Sequence, residues 1–137
     1  MKRLVTTLAL AALVAPSGGR ADCVPVAPSD EIARSDLIFV GTVTSVQDRQ
    51  ITFRVEQVWK GAIGPTVGTT MDPMRFYVDG SAVGQRFVIF MRRLAPDRYA
   101  VNDCGNSQTG PEMPRLIGDL RAAGLRPQRP LRPAPHE

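Results

Sequence analysis

Leu37-Ile38-Phe39-Val40-Gly41-Thr42-Val43-Thr44-Ser45-Val46 is the stretch that decides the fold. β-Branched and aromatic residues fill it, and these fit a pleated, half-buried surface better than a helix. Its first half is apolar at consecutive positions, so both faces of that half should be covered. Gly41 interrupts the run, and a glycine inside a strand marks a bulge or a sharp bend. The polar turn Gln47-Asp48-Arg49-Gln50 follows. Ile51-Thr52-Phe53-Arg54-Val55-Glu56 then alternates strictly, with Ile51, Phe53 and Val55 on one face. The two runs read as a hairpin.

Outward from this hairpin, Trp59-Lys60-Gly61 ends the second strand and residues 66–71 form a weaker one. Asp79-Gly80 is a turn dipeptide inside a stretch of mixed composition. Residues 84–91 make a strong strand, apolar on both faces at its centre, and Pro96-Asp97 turns the chain into a last strand over residues 98–102. Upstream, Pro28-Ser29-Asp30-Glu31-Ile32-Ala33-Arg34 predicts one or two helical turns, with Ser29 placed to cap them and Asp30 and Glu31 at the positive end. Downstream, Leu116, Ile117 and Leu120 fall at helical spacing within residues 113–123, and Gly124 is a stop. No internal repeat is apparent. A mainly β chain of five strands, an early helical turn and a closing helix predicts a five-stranded OB-type Greek-key barrel.

Met1-Lys2-Arg3, an apolar run from Leu4 to Val14, and Gly19-Arg20-Ala21 have the basic, apolar and small-residue order of a secretory signal. Cleavage after Ala21 is expected, which makes the product exported, periplasmic or extracellular. The run is too short to span a bilayer, which takes about 20 residues. The chain divides into a signal peptide (1–21), an OB-type domain (22–124) and a Pro/Arg-rich tail (125–137). The formal charge of +4 falls to about +1 once Lys2, Arg3 and Arg20 leave. The overall charge therefore gives no sign of nucleic-acid binding. In an oxidising compartment the two cysteines, Cys23 and Cys104, imply one bridge, with two buried thiols as the alternative.

Chemistry is sparse. His136 is the one histidine and lies in the tail, so no Ser-His-Asp or Cys-His set can be built within the domain. The same scarcity, with both cysteines bridged, leaves no transition-metal cluster. Asp36, Asp48, Asp72, Asp79, Asp97 and Asp103 are scattered, and no glycine-rich phosphate loop appears. Lys60, the sole lysine after the leader, reads as a solvated strand-end residue. Trp59 reads as core in preference to a ligand-stacking platform. No catalytic residue, metal or cofactor is expected. The tail, with prolines at 127, 130, 133 and 135, reads as extended or disordered, with a flexible end that loosely touches anionic surfaces such as outer-membrane lipid or acidic glycans as the other reading.

An ordered set of segments carries a resemblance. It comprises Cys23, the run Ser35-Asp36-Leu37-Ile38-Phe39-Val40-Gly41-Thr42-Val43, the strand end Val55 to Val58 with Trp59-Lys60-Gly61, the run Gly84-Gln85-Arg86-Phe87-Val88-Ile89-Phe90, and Cys104-Gly105. Over residues 22–124 it resembles the tissue inhibitor of metalloproteinases superfamily, the netrin-like OB-fold group, and within it the small bacterial secreted members. The resemblance implies a disulfide-tied barrel whose N-terminal segment is pinned by Cys23. It also implies an interaction edge formed by Asp22, Cys23, Val24 and Pro25, and a protein partner of the zinc-metalloprotease class. Animal members start at a cysteine in a Cys-x-Cys pattern, and the α-amine and carbonyl of that residue chelate the protease zinc. Here Asp22 precedes Cys23, and Cys23-Val24-Pro25 lacks the second cysteine. The expectation is thus an exported, non-catalytic binding module, with metalloprotease inhibition as one reading and an envelope-associated structural domain as the other.

Overall fold

Leu37–Gln47 forms strand β1 and Gln50–Lys60 forms β2, paired antiparallel through the turn at Asp48. Thr66–Thr70 is β3, Arg86–Ala95 is β4, Arg98–Val101 is β5 and Gln108–Thr109 is β6. Helix α1 is Pro28–Arg34 and α2 is Met113–Ala122. The computed structural model describes residues 24–71, 76–102 and 105–133. The expected leader, Asp22, Cys23, Cys104 and His136 lie outside them.

The protein is mainly β, a single antiparallel sheet in the order β3-β2-β1-β4-β5. The short β6, which the sequence gives no reason to expect, pairs with Phe87 and Val88 of β4, a stretch that β5 leaves unpaired. In a flat sheet β3 and β5 would stand about 19 Å apart, four strand spacings. Instead the buried Thr69 hydroxyl of β3 donates to the Tyr99 carbonyl of β5 at 3.1 Å. The sheet is therefore rolled strongly on itself. No backbone ladder joins β3 to β5 among the described residues, so the roll is not closed.

The doubly apolar strands now have a physical account. On β1, Leu37, Phe39 and Val43 face the concave interior, while Ile38 and Val40 face outward beneath the helices. On β4, Phe87, Ile89 and Met91 point in, and Val88 and Phe90 point out. Ile32 of α1 and Met113, Leu116 and Leu120 of α2 cover that outer face. Gly41 sits at the bend, as expected. The register shifts beside it, and a Cβ there would stand 2.8 Å from the Arg54 carbonyl oxygen and 2.9 Å from the Phe39 ring. The shift leaves Glu56 without an opposite residue and reverses the phase of β2. Ile51, Phe53, Val55 and Val58 all point in, and Trp59 turns out to the helical layer.

Three local expectations are corrected. Ser29 does not cap α1: Ala27 is the N-cap residue, and Pro28 opens the helix with its fixed φ. Lys60 is not a solvated strand end. Its Nζ donates to the Ile32 and Ala33 carbonyls at 2.8 and 3.2 Å, a cation placed on the negative end of α1. The composition predicts a disordered tail over residues 125–137, yet its described part is held. Gln128 exchanges two backbone hydrogen bonds with Val58, and the Leu131 N–H donates to the Ile63 carbonyl. The free second half of the β2 edge, at Val58, and the loop after β2, at Ile63, supply these partners.

Candidate functional site

The expected interaction edge is described at Val24 and Pro25. Both are exposed, Val24 to 78%. The segment that follows them is held by a polar network beneath α1. Glu31 is fully buried there, and both its carboxylate oxygens are satisfied. The Asn102 amide donates to Oε1 at 2.5 Å and Arg34 donates to Oε2 at 2.7 Å. The same Asn102 amide donates to the Ser35 hydroxyl at 2.8 Å, and Ser35 donates on to the Glu31 carbonyl at 2.6 Å. Asn106 extends the grip upstream by donating to the Val26 carbonyl at 2.9 Å. A buried charge is tolerated only when paired and hydrogen-bonded in this way.

Close packing at Gly105 completes the network. A Cβ there would lie 2.6 Å from Glu31 Oε1. The chain on both sides of Cys104, at Asn102 and Asn106, thus touches the chain that follows Cys23, at Val26 and Glu31. The sequence offers no signal for this pairing, because Glu31 and Asn102 are 71 residues apart and each has an ordinary local reading. Val24 and Pro25 therefore lead directly into a segment held by hydrogen bonds at Val26 and Glu31.

Beside it, α1 and α2 leave an open groove of about 410 Å³ lined by Pro28, Ser29, Ile32, Asp119, Ala122 and Ala123. Its walls are mostly small and apolar, with Ser29 and Asp119 as polar points. A second hollow of about 310 Å³ lies near Tyr77, Phe87 and Thr109. Asp79 there accepts from the Ser81 hydroxyl and N–H, and these bonds hold its carboxyl below the usual carboxylate range. Asp79 caps a short 3-10 turn, Gly80–Ala82, so the bonds have a local structural use.

Trp59 is 3% exposed and packs in the outer layer under Arg121, whose guanidinium lies 5.9 Å from the ring centroid. It is core, as expected; its Nε1–H finds no acceptor among the described residues. Among the described residues no group of three or more His, Cys, Asp or Glu side chains could hold a metal ion. No described helix is long and apolar enough to cross a membrane. No protein-family model matches the chain, and no characterised protein matches it.

Proposed function

We propose that the chain is a non-catalytic protein-binding module built on an OB-type barrel, with residues 22–25 as its contact edge and the α1–α2 groove as the adjoining surface. The order β3-β2-β1-β4-β5, with the Thr69 side chain of β3 reaching the Tyr99 carbonyl of β5, supports the barrel reading, since a five-stranded OB barrel places its strands in that order. One observation carries the contact edge: exposed Val24 and Pro25 leave a support locked by Glu31, Asn102 and Asn106. A preorganised edge loses little freedom when it binds. The resemblance to metalloprotease inhibitors supplies the partner class, a zinc metalloprotease.

The contacts flanking Cys104 also favour its bridge to Cys23. Mass spectrometry of the unreduced, exported chain is expected to show one linked peptide containing both cysteines; free, alkylatable thiols would remove the tether. For function, the exported chain is assayed against a panel of bacterial and host zinc metalloproteases. Inhibition at micromolar concentration or better is expected, and removal of residues 22–25 should abolish it. No inhibition by the intact chain across the panel would overturn the protease reading.

A further inference from the structure

The described tail contains a three-residue repeat that is easily overlooked among its prolines: Arg126-Pro127-Gln128, Arg129-Pro130-Leu131, then Arg132-Pro133. Each proline fixes its own φ near −65° and confines the preceding arginine to extended backbone. A polyproline II helix turns once in three residues. The hydrogen bonds show that period. The N–H groups of Gln128 and Leu131, three residues apart, both point at the body, to Val58 and Ile63. In a period-two strand, N–H groups three residues apart would point to opposite edges.

The start of the rod is fixed as well. Gly124 has a φ of 83°, its N–H donates to the Arg121 carbonyl, and the Leu125 N–H donates to the Leu120 carbonyl. This is a Schellman stop, with Leu125 packed back on the outer layer. With the N–H of every third residue turned to the body, a three-residue turn puts the arginines of the repeat on a common line. Arg126, Arg129 and Arg132 are all exposed. None of them forms an ion pair among the described residues.

We propose that Arg126, Arg129 and Arg132 form one cationic ridge on a docked polyproline rod, and that the ridge binds a linear polysaccharide bearing carboxylates. Successive guanidinium groups stand roughly 9 Å apart along a straight line, which suits an extended polyanion. Each planar guanidinium pairs bidentately with a carboxylate. Two other polyanions fit less well. Single-stranded nucleic acid needs exposed aromatic platforms beside the charge, and the one tryptophan is buried. Membrane-surface clusters carry about four to eight basic residues, more than the three here. This ridge is independent of the edge at residues 22–25 and does not rest on the protease reading.

The test measures binding of the exported chain to polygalacturonate at low and high salt. Anionic phosphatidylglycerol vesicles and an oligothymidylate serve as competing classes. Binding to polygalacturonate that weakens with salt is expected. The triple variant Arg126→Gln, Arg129→Gln, Arg132→Gln should bind about ten-fold more weakly or worse. A second variant, Gln128→Arg with Arg129→Gln, keeps the charge but moves the middle cation off the line. It should lose at least about three-fold in affinity while unfolding as the parent does. No binding to polygalacturonate, tighter binding to vesicles or oligothymidylate, or full affinity in the exchanged variant would each overturn the proposal.

Discussion

Asn102→Ala is expected to destabilise the domain by about 3–5 kcal/mol, read as a lowered midpoint of chemical unfolding at neutral pH. The substitution removes one amide that serves two buried acceptors, Glu31 Oε1 and the Ser35 hydroxyl. The volume lost is modest, so cavity cost is the smaller part. The larger part is a carboxylate kept out of water with one oxygen stripped of its donor. A double variant, Glu31→Leu with Asn102→Leu, separates the two contributions. Removing both partners in favour of apolar groups leaves no buried carboxylate without its donor, and the Ser35 hydroxyl still donates to the Glu31 backbone carbonyl, so most of the lost stability should return. A loss below about 1 kcal/mol for Asn102→Ala would show that the network does not hold α1.

The same variant bears on the proposed function, because the network holds the segment that follows the proposed contact edge. α1 is only seven residues long and would not persist on its own propensity. It is held from three sides: Lys60 on its last carbonyls, Asn102 on Glu31, and Ile32 in the outer layer. Val24 and Pro25 project from the N-terminal side of this clamp. Loosening the clamp therefore adds an ordering cost to any binding at residues 22–25.

Much of this architecture can be read from local residues. The doubly apolar starts of β1 and β4 require cover on both faces, and the two hydrophobic layers provide it. Gly41 announces the bend because no side chain fits against the Arg54 carbonyl. What escapes the sequence is everything set by distant partners. Strict alternation along β2 breaks at Glu56, since the bulge is dictated by its pairing with β1 rather than by any residue there. The two-residue β6 has no pattern of its own and exists because β4 has an unpaired stretch. Lys60 looks solvated until α1 is placed against it. Prolines make the tail look structureless, yet it is bonded to β2 at Val58 and to the following loop at Ile63.

The interior of the rolled sheet makes the second large prediction. Phe53 of β2 sits between Phe39 of β1 and Phe87 of β4, with ring centroids at 5.5 and 6.2 Å and near-perpendicular planes of 74° and 76°. β2 and β4 are not neighbours, since β1 lies between them. In a flat sheet they would stand about 9.6 Å apart, and their side chains would run parallel. Contact between Phe53 and Phe87 therefore depends on curvature. Phe53→Ala is expected to cost about 3–5 kcal/mol through lost burial, an unfilled cavity and two edge-to-face contacts. Phe76 meets Phe87 at 6.2 Å but is only half-buried, so Phe76→Ala should cost clearly less, about 1–2 kcal/mol. This ordering is what a filled concave core demands, and chemical unfolding of the two variants measures it. Equal losses at both positions would mean that the rings stack on an open face, and the sheet would then lack the interior on which the barrel reading depends.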